Sequence, residues 1–153
     1  YFFKSDEEFK NILNENGFLE HATVFDHLYG TPRKNIEDKL SKGNDVIFDI
    51  DWQGTHQLTQ NSRDDVVSIF ILPPSIAELR NRLQSRKQDE QAEIDRRMAK
   101  ADSEISHWYS YDYVIINTSL DKSLEAVKAI IEAERLKRTR QNGLSKFIED
   151  LLN

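Results

Sequence analysis

The chain has no cysteine, only 5 glycines, 3 prolines and 1 methionine in 153 residues, and no surplus of positive charge. Each absence excludes something. Without cysteine there is neither a disulfide framework nor a thiolate metal site, and a reducing, cytoplasmic setting is expected. With 21 Lys and Arg against 27 Asp and Glu, the formal net charge of -6 argues against nucleic acid or an anionic membrane as partner. Any phosphate the chain handles must therefore be met by a local cluster of cations. No apolar run approaches the roughly 20 residues of a membrane span, so a soluble chain is expected. The five glycines, Gly17, Gly30, Gly43, Gly54 and Gly143, nowhere form the G-x-x-x-x-G-K-[ST] phosphate loop.

What is present reads as one domain with alternating strands and helices. Ser5 with Glu8 forms a capping box for a helix over about 5–16, whose apolar positions are Phe9, Ile12 and Leu13 and which Gly17 stops. Thr31 and Pro32 are read as cap and first residue of a second helix that carries Ile36 and Leu40 and ends at Gly43. Three apolar runs, "VIFDIDWQG" from Val46, "VVSIFIL" from Val66 and "YVII" from Tyr113, are read as strands buried on both faces of a parallel sheet. Ser75 and Glu78 cap a helix carrying Leu79 and Leu83, and Leu124, Val127, Ile131 and Leu136 mark the inner face of a long one. The charged stretch 82–108 is expected to protrude, and an amphipathic tail from Leu144 to pack as a helix or meet a partner.

Three groups of residues carry chemistry. Asp49 and Asp51 fall two apart at the end of an apolar run, on one side of a strand, where open α/β sheets bind ligands. They either accept backbone N–H groups at the next turn or serve a nucleoside triphosphate and its Mg²⁺. "FLEHATVFDHLYGTPR" gathers Glu20, Tyr29 and Thr31. A carboxylate can take two hydrogen bonds from a base edge with adjacent N–H donors, which guanine presents and adenine does not; the plain alternative is a turn and a cap. Arg82, Arg86, Arg96 and Arg97 form either a solvated face or the cations of a closing segment. The histidines His21, His27, His56 and His107 lack metal-ligand spacing.

The stretches "YFF", "FLEHA", "YGTPR", "DVIFDIDWQG", "SIFILPPS", "RRMAKA", "EISHW", "YDYVIIN" and "AIIEAERLKR" resemble, in order and spacing, the bacterial guanylate kinase family over nearly the whole chain. The resemblance implies a three-layer αβα, P-loop kinase-like parallel sheet with a small GMP-binding subdomain and a helical lid. Residues 1–43 would be the GMP-binding subdomain, 44–81 and 109–153 the core, and 82–108 the lid. It implies phosphoryl transfer from ATP to GMP with Mg²⁺, giving ADP and GDP, in purine nucleotide metabolism; a monomer or a homodimer, the latter through the tail from Leu144, is expected. Tyr1 and Tyr29 would contact the GMP phosphate, Glu20, Thr31 and Asp51 the guanine, and Asp49 the metal, through water. Arg82, Arg86 and Arg97 would grip ATP and the transferring group, with Asn117 on the adenine side.

Departures accompany the matches. The family's glycine-rich loop and lysine, and a serine and two arginines for the GMP phosphate, have no counterpart; its lid "RGRG" reads "LQSRK" and its "VNDD" reads "INTS". The chain opens on "YFFKSDEEF" without Met, and the resemblance implies about 50 upstream residues, a strand, a loop and a helix. The 153 residues alone are expected to be inactive as a kinase. The competing expectation is a non-catalytic guanylate-kinase-like module that holds phosphorylated peptides in the same cleft.

Overall fold

The computed structural model describes residues 3–24, 27–85 and 90–153, which fall into two compact units, Tyr1–Val66 and Val67–Asn153. In the first unit, helix α1 (Asp6–Asn14) begins as its local signals dictate. Ser5 Oγ accepts the Glu8 N–H, and the Glu8 carboxylate accepts the Ser5 N–H at 2.9 Å. These bonds, with Lys4 beside it, hold the Glu8 carboxyl below the usual range. The helix stops through Asn16, which adopts the left-handed conformation at φ 52°, and not through Gly17 as the sequence suggests. Gly17 is needed for another reason, since a Cβ there would meet the Ile12 side chain at 2.8 Å. Phe9, the buried residue of α1, stacks on Phe18 with ring centroids 4.5 Å apart.

Phe18 opens strand β1 (Phe18–Val24), which pairs antiparallel with β2 (His27–Pro32). This hairpin corrects the reading of the segment as a turn leading into a helix cap. Thr31 lies opposite Glu20 in the ladder, and α2 (Arg33–Leu40) starts after it, with Pro32 at the cap position and no side-chain capping bond. The register shifts between Phe18 and Glu20, so Leu19 is an extra residue in β1.

Val46–Gly54 is likewise corrected. Residues 44–51 join no strand ladder, and α3 (Trp52–Ser62) begins where the strand was expected to end. The alternation is nevertheless real. Val46, Phe48 and Ile50 pack on the core of Leu19, Ile36 and Leu58, whereas Ile47 is 85% exposed and Asp49 also faces solvent. A period of two fixes which side chains turn inward, but a strand needs a backbone partner as well.

In the second unit, β3 (Ile69–Leu72) and β4 (Tyr113–Ile116) pair in parallel, with Ile69 opposite Tyr113 and Leu72 opposite Ile116. Two helices, α4 (Ile76–Ser85) and α5 (Gln91–Ser106), lie between them in sequence. This βαβ connection is what parallel strands require. The Asp112 carboxylate accepts both the N–H and the hydroxyl of Ser68, at 2.9 and 2.8 Å, and so ties the starts of the two strands. Burial on both faces is not observed: Ile71 is 53% and Ile116 61% exposed, while Ile115 is buried.

Nor does the charged stretch simply protrude. Helix α5 packs along α4 and buries Ile94 and Ala101, as α4 buries Leu83, because Ile94, Met98, Ala101 and Ile105 recur on one helical face. The long helix α6 (Leu120–Leu136), capped by Ser119, buries Ser123 and Glu134, and Leu124 and Leu136 point outward, contrary to the expected stripe. The tail does form a helix, α7 (Leu144–Leu152), after Gly143 at φ 83°; Phe147, Ile148, Leu151 and Leu152 are exposed on it. Among the described residues no helix is long and apolar enough to cross a membrane.

Candidate nucleotide site

In the first unit, Glu20 is a carboxylate with only 4% of its surface exposed. Two features offset its desolvation. The Thr31 hydroxyl donates to Glu20 Oε1 at 2.5 Å, which the cross-strand register makes possible. The other oxygen, Oε2, lies against the first turn of α3, where a Cβ on Gly54 would stand 2.9 Å from it. The aligned backbone dipoles at a helix start give that turn a partial positive charge, which favours an anion.

Asp51 belongs to the same neighbourhood. It is the N-cap of α3, its Oδ1 accepting the Gly54 N–H at 3.0 Å, with Gln53 Nε2 at 3.4 Å from Oδ2. The plain alternative for this aspartate, a backbone acceptor, is thus realised, and it fixes the carboxylate next to Gly54. Glu20 and Asp51 are brought together through that glycine. Tyr29 stands opposite Ala22, two residues before Thr31, on the same face of the hairpin, and is 42% exposed. Asp49 is exposed two residues ahead of Asp51.

In the second unit, Arg82 on α4 donates from Nε to Glu78 at 2.7 Å and from Nη2 to the Asn117 carbonyl at 3.0 Å. Asn117 closes β4: its N–H donates to the Leu72 carbonyl at 2.7 Å, and its Oδ1 accepts the Ser123 hydroxyl at 3.0 Å. Arg82 and Asn117 border a cavity of about 160 Å³ lined also by Leu72, Pro73, Leu79 and Leu83. Arg97 on α5 donates to Glu93 at 3.1 Å. The predicted Tyr1 and Arg86 lie outside the described residues.

Among the described residues no three or more His, Cys, Asp or Glu gather as a metal cage. A lone exposed carboxylate such as Asp49 nonetheless suits Mg²⁺, which keeps most of its water and takes its other ligands from phosphates.

Two side chains escaped the sequence reading. Gln57 and Asn61 of α3 both hydrogen-bond the backbone of β1, at His21 and Leu19. Their four-residue spacing on one helix face was the available signal, and it is too common to single out.

A family model described as guanylate kinase matches residues 1–134. The chain is 54% identical over 151 residues to a guanylate kinase of Paramagnetospirillum magneticum, covering 99% of this chain and 71% of that one. It is 52% identical over 148 residues to that of Rhodospirillum rubrum, covering 97% and 68%. The crystal structure of guanylate kinase from Anaplasma phagocytophilum superposes with a TM-score of 0.81 at 40% identity, over 98% of this chain and 73% of that one. These likenesses put the chain in the class of α/β phosphotransferases with a P-loop kinase-like fold. Within that class, it belongs to the guanylate kinase family. Relatives of this kind do not favour the phosphopeptide-binding alternative.

Proposed function

We propose that this chain recognises GMP as phosphoryl acceptor and works with ATP as donor, in the manner its family name states. The observation that carries the reading is the buried Glu20 carboxylate, held by the Thr31 hydroxyl and set beside Asp51 at the start of α3. Such a pair of acceptors matches the adjacent N1–H and 2-amino donors of guanine and leaves adenine's corresponding edge unserved. Tyr29, on the same face, would bond the acceptor's phosphate.

Residues 1–43 would act as the GMP-binding subdomain, 44–81 and 109–153 as the core and 82–108 as the lid. Arg82 and Arg97 would grip ATP and meet negative charge spreading over the transferring phosphoryl group, with Asn117 on the side of the donor's base. Asp49 would hold Mg²⁺ through water, and the ion would supply positive charge against the donor's phosphates. These 153 residues contain no G-x-x-x-x-G-K-[ST], so what they supply is acceptor recognition, donor-base contact and cations. An acidic, cysteine-free chain suits the cytoplasm.

Titration calorimetry of the purified protein with GMP, AMP and UMP tests the reading. GMP should bind at least about tenfold more tightly than either, the worth of one lost charge-assisted hydrogen bond. Equal affinities would overturn it.

A further inference from the structure

A carboxylate discriminates between bases only if it is held within about 0.5 Å of the productive place. Among the described residues, strand β1 carries Glu20 but has β2 on one edge alone. Leu19 and His21, two residues apart, turn backbone groups toward the other edge, where they would be left without a ladder. Helix α3 supplies what a third strand would. The Gln57 carboxamide accepts the His21 N–H on Oε1 at 3.0 Å and donates from Nε2 to the His21 carbonyl at 2.7 Å. One turn later, Asn61 Nδ2 donates to the Leu19 carbonyl at 3.2 Å. The three bonds straddle Glu20. The same helix carries Asp51 at its cap and Gly54 against Glu20 Oε2. Gln57 thus joins the strand that bears one acceptor to the helix that bears the other.

We infer that Gln57, supported by Asn61, is a positioning residue for base recognition: it sets the spacing of Glu20 and Asp51, and with it the preference for a purine that carries the 2-amino group. This rests on the reading of Glu20 as the partner of guanine. Only a carboxamide of this length fits the task, because it must donate and accept at one backbone residue. A leucine does neither, and an asparagine is one methylene short.

The test compares GMP with IMP, which keeps N1–H and lacks the 2-amino group. Affinities are measured by calorimetry on the wild type, Gln57→Leu, Gln57→Asn and Glu20→Gln, with circular dichroism as the check on folding. The wild type should prefer GMP by about tenfold or more. Gln57→Leu should lower that ratio at least about threefold in a folded protein. Should the leucine variant not fold, Gln57→Asn is read in its place. A ratio that stays at the wild-type value, with both affinities falling together, overturns the inference, since a merely structural role weakens both ligands alike. If instead Glu20→Gln leaves the ratio untouched, the underlying reading of Glu20 fails; if Glu20→Gln abolishes the preference while the Gln57 variants keep it, only the positioning role fails.

Discussion

At the scale of single residues, Glu20 and Gly54 make the sharpest claims. If Glu20 takes one of the base's two hydrogen bonds, worth about 1.5–3 kcal/mol to a charged acceptor, Glu20→Ala should weaken GMP by roughly ten- to a hundredfold and leave ATP nearly unchanged. Calorimetry with each nucleotide checks this, and a parallel loss for ATP would count against the assignment. Gly54→Ala should cost about tenfold in GMP affinity by a different route, because its Cβ cannot stand 2.9 Å from Glu20 Oε2 without moving that carboxylate. Thr31→Val, which removes the 2.5 Å bond yet keeps the shape, separates the two effects.

A second buried carboxylate, Glu134, belongs to stability. It accepts the Tyr113 hydroxyl at 2.6 Å, and Lys137 and Arg140 approach its two oxygens at 2.6 and 3.2 Å. The Lys137 and Tyr113 bonds hold its carboxyl below the usual range, and the bond to Glu134 pushes the Tyr113 hydroxyl up. A carboxyl lowered by folding stabilises the protein above its unfolded value of about 4.3, and that contribution disappears as pH falls through the lower folded value. Glu134→Gln should therefore cost about 2 kcal/mol near neutrality, read from denaturant midpoints, and progressively less below about pH 4. A penalty that does not change with pH would show that charge is not what Glu134 contributes.

At the scale of elements, legibility followed how local the cause is. The Ser5 capping box and the strand Tyr113–Ile116 could be read because their determinants lie within a few residues. The hairpin could not. Between Phe18 and Pro32 the sequence carries neither the Asn-Gly nor the Asp-Gly pair that announces a hairpin, and Thr31-Pro32 carries a helix-start signal that the pairing with Glu20 overrides. For residues 46–51 the inward positions were legible and the ladder was not, since pairing is a property of two segments. In α5 the apolar residues are diluted among charges, which hid a stripe that packs on α4. Ile94, 4% exposed, is the test of that packing. Ile94→Ala should destabilise by about 2–5 kcal/mol, measured by denaturant unfolding, whereas a freely projecting helix would lose almost nothing.

At the scale of the whole molecule, the residues read from the sequence divide between the two units. Glu20, Tyr29, Thr31, Asp49 and Asp51 lie in Tyr1–Val66, and Arg82, Arg97 and Asn117 in Val67–Asn153. Acceptor and donor recognition are therefore assigned to different stretches of backbone, and hydrogen exchange can tell them apart. A ligand that binds the native state suppresses opening by RT ln(1 + [L]/Kd), about 2.7 kcal/mol at a hundredfold excess over Kd. GMP should slow exchange first in β1 and α3, above all at the His21 amide that Gln57 accepts and the Gly54 amide that Asp51 accepts. A non-hydrolysable ATP analogue should act instead on amides around the cavity, among them that of Asn117, bonded to Leu72. Protection by GMP that appeared only beyond Val67 would place base recognition on the other stretch of chain, and would remove Glu20 from any part in reading the base.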